Sequence, residues 1–372
     1  MPTLSRNDNS LLGRWWWSVD RWTLGAIGVL IGCGYILMLA ASPAVAERIG
    51  ASRDMFILKQ VVFLAMAGLI VVLISMLSPR DIKRLAIVGC LIALALTAAT
   101  MVIGMEIKGA RRWISLPGMS VQPSEFLKPC FAVTAAWLLS EGKKSPRFPG
   151  MVLACGVCAL ILLLLKAQPD IGMLAVVTVV FLVQLYIAGL PLSLVGIGMG
   201  MIGVASVMAY TFMPHVHKRF DEFWKGSGDH YQIDRALEAF GNGGFLGRGA
   251  GEGRVKDILP DAHADFVFAV AGEEFGLLVC VFILSVFAFI VLRGLLRLLR
   301  VQDLFVVLSC TGLVTGFGLQ AFVNMASTLG LIPTKGMTLP FISYGGSSVV
   351  AVALGMGMLL ALTRRRGRDE PA

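Results

Sequence analysis

An all-α integral membrane protein with about ten transmembrane helices is the fold class this sequence predicts, on three observations. Hydrophobic residues make up 57% of the chain and charged residues 15%, whereas soluble domains carry about 25% charged residues. Apolar runs close to the roughly 20 residues that span a bilayer succeed one another along the 372 positions. The 32 lysines and arginines fall in short clusters between those runs, which is how membrane helices are oriented. That clustering accounts for the net charge of +9, so nucleic acid is not expected as a partner.

The first 22 residues hold Arg14-Trp15-Trp16-Trp17 and Arg21-Trp22, and no small-residue cleavage site follows directly. They read as a retained cytoplasmic segment, 1–22, whose indoles anchor the first helix at the headgroup level. The apolar runs then cover about 23–40, 57–77, 85–104, 126–140, 150–165, 171–188, 194–213, 266–292, 304–326 and 347–363. Cations crowd one set of connecting segments: Arg6, Arg14 and Arg21; Arg80, Lys83 and Arg84; Lys143, Lys144 and Arg147; Arg293, Arg297 and Arg300; and Arg364, Arg365, Arg366 and Arg368. By the positive-inside rule both termini are cytoplasmic, including the tail 364–372. Residues 1–372 read as one polytopic domain, with a single long outer, periplasmic loop at 214–265 between helices 7 and 8. No internal repeat is visible, which counts mildly against many transporter folds.

Three outer segments carry the polar chemistry. Residues 105–125 contain Lys108-Gly-Ala-Arg111-Arg112-Trp113 and Gln122-Pro123-Ser124-Glu125, ahead of an intramembrane Lys128. The loop 214–265 includes Ile233, Ala236, Leu237 and Phe240 at helical spacing, which predicts a short surface helix over 232–241 stopped by Gly241. A glycine-rich run, 243–253, follows it; without a Gly-Lys-Ser/Thr it reads as a turn rather than a nucleotide loop. The third segment, 327–346, is rich in Gly and Pro and too apolar for a solvated linker.

The seven cysteines all lie in apolar runs, so they read as small core hydrophobes, Cys155-Gly-Val-Cys158 included. The four histidines, His215, His217, His230 and His263, fall in the long loop. That arrangement lacks the further ligands of a zinc site and reads as a pH-sensitive surface loop.

Charge near hydrocarbon is costly enough to mark function. Six outer groups, Arg111, Arg112, Glu125, Lys128, Lys256 and Asp265, are cheapest if gathered round one water-filled cavity where they pair with one another and with a polar ligand. Asp265, at the water boundary, can act as a base or serve as the N-cap of the helix it precedes. Eight residues on, Glu273 falls about 80° around and roughly 12 Å deeper, and Glu274 about 180° around. Glu273 is therefore the better candidate to line the same cavity; a structural pair with a lysine or arginine is the alternative for both.

Several motifs together resemble the SEDS family of cell-wall polymerases, which includes the FtsW and RodA proteins. They are Lys108 to Ile114; Gln122-Pro123-Ser124-Glu125 with Lys128; Gln168-Pro169-Asp170-Ile171-Gly172; Tyr231-Gln232; Gly243-Gly244 through Gly247-Arg-Gly249; Leu259-Pro260 with His263-Ala264-Asp265-Phe266; Glu273-Glu274-Phe275-Gly276; Pro333-Thr334-Lys335-Gly336; and Leu339 to Ser348. The run Pro333 to Pro340 and Ser343-Tyr344-Gly345-Gly346-Ser347-Ser348 look more like the division-type FtsW members than the elongation-type RodA members. Two features depart from the family pattern: Ala264 stands where Thr is usual, and Asp261-Ala262 varies the usual lead-in.

The resemblance implies a peptidoglycan glycosyltransferase that polymerises lipid II with release of undecaprenyl pyrophosphate, for septal wall synthesis in the inner membrane. It also implies a class B penicillin-binding protein (an FtsI-like transpeptidase) and other divisome membrane proteins as partners. That chemistry needs a base for the acceptor hydroxyl and positive charge where the pyrophosphate leaves. Asp265 suits the base; Arg111, Arg112, Lys128 and Lys256 suit the pyrophosphate, with Glu125 holding a cation in place. Gln122, Lys335 and Ser343 in the matching motifs join them as substrate-binding candidates, and Glu273 as a supporting one. A divalent cation, Mg or Mn, bridged by Asp265 and substrate is a further expectation. Three other readings stand beside this one: a lipid II flippase, a RodA-type elongation polymerase, and a scaffold without chemistry.

Overall fold

The computed structural model describes residues 10–48, 53–107, 110–116, 119–212, 230–333 and 336–364. Each apolar run forms a helix. In chain order these are α2 (Arg21–Arg48), α3 (Arg53–Ser75), α4 (Pro79–Ile103), α5 (Pro123–Lys144), α6 (Gly150–Ala167), α7 (Ile171–Ile187), α8 (Leu192–Phe212), α11 (Val267–Leu298), α12 (Leu304–Thr328) and α13 (Gly346–Leu362). Among the described residues, α2, α3, α4, α6, α11 and α12 are long and apolar enough to cross a membrane, while α7 and α13 are shorter apolar helices. The chain is a multi-pass membrane protein.

Three further helices lie outside the apolar runs: α1 (Leu11–Ser18), α9 (His230–Gly243) and α10 (Val255–Ile258). The helix expected over 232–241 is α9, which begins at His230 and runs through Gly241 to Gly243, so Gly241 does not stop it. Helix α4 starts six residues earlier than its apolar run because Ser78 accepts a capping bond from Asp81 N (3.2 Å) and Pro79 fits the first turn. Helix α5 likewise starts at Pro123 and runs on to Lys143 and Lys144, whose charge favours the negative end of the helix.

The all-helical expectation needs one correction. Three short strands, β1 (Met105–Ile107), β2 (Ala110–Leu116) and β3 (Met119–Val121), form a small antiparallel sheet in the order β1-β2-β3. Glu106 pairs with Arg111 and Ile114 with Val121. Helical periodicity is absent from this stretch, and its polar residues compete for neighbours across a strand pair instead.

Helix α5 forms the centre of the bundle, packed against α4, α6, α7, α12 and α13. Its Leu127, Phe131, Val133 and Ala135 are fully buried. Helix α13 packs closely on α3, where a Cβ at Gly357 would overlap Ile74. Helix α11 is broken: Gly276 has φ 78° and ψ −176°, a conformation open to glycine. The glycine-rich run fills that break. Arg248 N and Gly249 N donate to Glu273 O (2.9 Å) and Glu274 O (3.0 Å), and Leu277 N donates to Gly244 O (2.9 Å). A Cβ at Gly247 would strike the Glu274 carbonyl, so the two backbones meet only because that residue is glycine.

At the cation-rich end one carboxylate ties the helix ends together. Arg293 grips Asp20 bidentately (Nε–Oδ2 and Nη2–Oδ1, both 2.8 Å), Arg297 adds an ion pair at 3.1 Å, and Thr23 Oγ1 donates to Oδ2 at 2.8 Å. Arg297 also reaches Thr363 O (3.0 Å) at the end of α13. The tryptophans divide their labour: Trp15 is buried and donates to Ser75 Oγ (2.8 Å), whereas Trp17 and Trp22 are exposed as an interface anchor requires. Burial raises the Asp20 carboxyl, but the Arg293 and Thr23 hydrogen bonds and the two guanidinium charges outweigh it and hold the group below its ordinary value of 3.8. The carboxylate therefore stabilises the fold above that value and the contribution is lost as pH falls through the depressed one. Asp20→Asn is expected to lower stability by about 2 kcal/mol, from lost charge-assisted bonds. In detergent thermal unfolding, the gap to wild type should narrow as pH is lowered below about 4.

Candidate active site

The site begins at the turn before α11. Asp261, at φ 52°, turns its carbonyl back to accept from Ala264 N (2.9 Å) and Asp265 N (3.1 Å). The N-cap of α11 is Phe266, without a side-chain capping bond, so Asp265 does not fill the cap position. Asp265 is half-buried, and a Cβ built on Gly336 would lie 3.6 Å from its Oδ2. The loop 336–345 thus passes directly beside the carboxylate.

The two loops are joined at several points. Tyr344 N donates to His263 O (2.9 Å), and the rings of Phe56, His263 and Tyr344 pack with centroids 5.2–5.4 Å apart. His263 is therefore buried in an aromatic cluster, not part of a solvated loop. Burial raises the Tyr344 hydroxyl above its ordinary value. His215 and His217 lie outside the described residues.

Helix α12 supplies two amides one turn apart. Asn324 Nδ2 donates to Asp265 O (2.9 Å) and Met337 O (2.6 Å). Gln320 Nε2 donates to Thr338 O (3.0 Å), while its Oε1 accepts from Lys128 Nζ (2.6 Å). Lys128 also pairs with Glu125 at 2.7 Å, one turn back on α5. Thr338 Oγ1 and Ser348 Oγ share a hydrogen bond of 2.7 Å. A continuous polar path therefore runs Glu125–Lys128–Gln320–Thr338–Ser348, and the adjacent Met337 links it through Asn324 to the main chain of Asp265. Lys128 and Gln320 form the polar end of a cavity of about 50 Å³ otherwise lined by apolar side chains of α5, α7, α12 and α13.

A second cluster lies nearby. Arg112 donates to Gln168 O (Nε, 2.9 Å) and Pro169 O (Nη2, 2.6 Å) and pairs with Asp170 Oδ2 at 3.3 Å. Gln122, buried at the start of α5, reaches Asp170 Oδ2 at 3.5 Å. Burial raises the Asp170 carboxyl, with Arg112 opposing; the charges of Glu125 and Lys128 also act on it, which makes the two clusters electrostatic neighbours.

The six outer charges do not all gather in one cavity. Arg111 points away from Arg112, as successive strand residues must, and pairs with Glu106 (3.3 Å) on the exposed hairpin. Lys256 is buried: its ammonium contacts Glu274 Oε1 (2.5 Å), Gly251 O (3.0 Å) and Ala40 O (3.1 Å). Glu273 was expected to line the cavity, but it is 0% exposed. Its carboxylate accepts from Arg254 N (3.0 Å) and Val255 N (3.1 Å), and lies 3.7 Å from Arg248. Both glutamates hold the glycine-rich run against the break in α11. Ser343 is fully buried, where its hydroxyl accepts from Leu339 N (2.7 Å) and shapes the loop beside Asp265. Lys335 lies outside the described residues. Asp170 stands in a matching motif to which no site role was attached, and Gln320 and Asn324 stand in none; the signal for these two is a pair of amides at i, i+4 inside an apolar run.

A model of the FtsW/RodA/SpoVE family, described as cell cycle proteins, matches residues 21–367. The chain belongs to this family. A probable peptidoglycan glycosyltransferase FtsW of Caulobacter vibrioides is 43% identical over 365 residues, covering 97% of this chain and 93% of that one. A protein of the same description from Geobacter sulfurreducens is 36% identical, covering 91% and 94%. Among solved structures, a chain of a peptidoglycan synthase complex that coordinates polymerization and crosslinking superposes with TM-score 0.77 at 25% identity, over 93% of this chain and 97% of that one. The rod shape determining protein RodA of Thermus thermophilus superposes with TM-score 0.70 at 26% identity, over 94% and 97%. The family's shared fold thus extends over nearly the whole chain.

If Lys256 serves Glu274 rather than a ligand, its removal strands a buried charge. Lys256→Met is expected to cost about 3–5 kcal/mol of stability, measured by thermal unfolding. A variant of wild-type stability with a raised KM for substrate would instead place Lys256 in ligand binding.

Proposed function

We propose that this chain is a peptidoglycan glycosyltransferase that polymerises lipid II, with Asp265 as the general base. The observation that carries the reading is the placement of Asp265: a half-buried carboxylate at the mouth of α11, flanked by Gly336 and pinned through its main chain to the neighbouring loop. The acceptor sugar hydroxyl loses its proton to Asp265 as its oxygen attacks C1 of the donor sugar, and the C1–O bond to the pyrophosphate breaks. Pyrophosphate leaves without protonation, so one carboxylate suffices where a glycosidase uses two. Lys128, half-buried and held by Glu125 and Gln320, supplies positive charge on the same side of the bundle, with Arg112, Gln122 and Lys335 completing the proposed substrate-binding set.

The reading extends to an inner-membrane protein with both termini cytoplasmic and the site facing the periplasm, acting at the division septum. A class B penicillin-binding protein of the FtsI type is the proposed partner, in keeping with the polymerization and crosslinking complex whose chain this one resembles. For a Mg or Mn ion, no group of three His, Cys, Asp or Glu side chains is present among the described residues. An ion would therefore rest on Asp265 and substrate oxygens, and no step depends on it here.

Purified full-length protein with its partner should convert detergent-solubilised lipid II to glycan chains. Asp265→Asn, which keeps the size of the side chain, should slow this by ~100- to 10,000-fold, the usual worth of a general base. An undiminished rate in that variant would remove Asp265 from the mechanism. Absence of polymer from wild type, under conditions where a family member is active, would leave lipid transport or scaffolding as the function. A chelator arm reads out the ion: loss of rate restored by Mg or Mn supports it.

A further inference from the structure

Asn324 is 1% exposed within α12, yet its carboxamide contacts two loops rather than its own helix. An amide –NH2 carries two hydrogens, and both are committed: one to Asp265 O at 2.9 Å, the other to Met337 O at 2.6 Å. The reverse orientation of the amide would set Oδ1 against two carbonyl oxygens, so the donor assignment follows from the partners. Oδ1 itself is buried with no hydrogen-bond partner among the described residues. Leucine would fill this volume without an orphaned acceptor, so packing alone does not account for an amide here.

The geometry selects for that side chain closely. Serine offers one hydrogen, aspartate none when ionised, and glutamine carries the amide a methylene too far. Asp265 and the 336–345 loop come from opposite sides of α12 in sequence, and Asn324 is the residue that fastens both main chains to one atom. Gly336 lies on the fastened loop beside Asp265 Oδ2, so the clearance around the carboxylate depends on this pair of hydrogen bonds.

We infer that Asn324 is a positioning residue for the polymerisation step: it sets the Asp265 carboxylate relative to the 336–345 loop by bridging their backbones. This rests on the reading of Asp265 as the base. Asn324 touches no reacting atom. It acts through the main chain of the residue that does.

The test compares full-length wild type, Asn324→Leu, Asn324→Asp and Asp265→Asn, each with the partner, on lipid II, with rates normalised to folded protein. Asn324→Leu should lower kcat by ~10- to 100-fold, the scale of a small misplacement of a catalytic group, with KM for lipid II unchanged. Asn324→Asp regains one donor only when protonated, so its rate relative to wild type should be higher at pH 6 than at pH 8. If Asn324→Leu does not fold, the pH ratio of Asn324→Asp decides. A wild-type kcat per folded molecule in either variant, or a raised KM at unchanged kcat, overturns the inference while leaving the base assignment intact. Full activity of Asp265→Asn overturns the base assignment and the inference with it.

Discussion

Backbone that leaves a helix near hydrocarbon must find its hydrogen-bond partners within the protein, because lipid offers none. The architecture around Asp265 follows from that constraint. Helix α11 opens at Gly276, and the freed peptide groups are taken up by the run Gly244 to Gly249, as one strand would pair with another. The loop 336–345 re-enters the bundle and is held by Ser343, Gln320 and Asn324. The buried Gln60 adds a bond of 3.3 Å to Ser343 O. The carboxylate is thus surrounded by irregular chain whose shape is fixed by side chains from rigid helices.

Electrostatics sorts the charged residues into two classes. Lys256, Glu273 and Glu274 are buried and fully engaged with one another or with peptide groups, the only terms on which charge is tolerated there. Glu125, Lys128 and Arg112 are paired but keep partial exposure, and Lys128 borders a cavity, so an incoming anion can compete for the cations. A sequence shows that charges are present near hydrocarbon. Only the fold tells which of them are already spoken for.

Much of the fold was legible because apolar length and cation clusters are long-range signals that survive local irregularity. The helix α9 was legible from Ile233, Ala236 and Phe240, and Asp265 from its place at a junction of loop and apolar run. The β1–β3 sheet was not, since strands of three, seven and three residues inside a short polar segment give no period long enough to read. The fate of the glutamates was missed for a different reason. Helical spacing places Glu273 on a face of α11 but gives no sign that the glycine-rich run pairs with the backbone at the Gly276 break and covers that face. Gln320 and Asn324 were passed over because a neutral amide in an apolar run carries no charge to draw attention, although burial makes it as consequential.

The parting of Arg111 and Arg112 has a bearing on how this segment can change. Their separate partners, Glu106 and Asp170, are assigned by the pleat of β2 alone. A single residue gained or lost ahead of Arg111 would exchange the two arginines across the sheet while leaving both in the chain. The information in this stretch is therefore one of phase: the count of residues leading to Arg112 matters as much as the arginine itself.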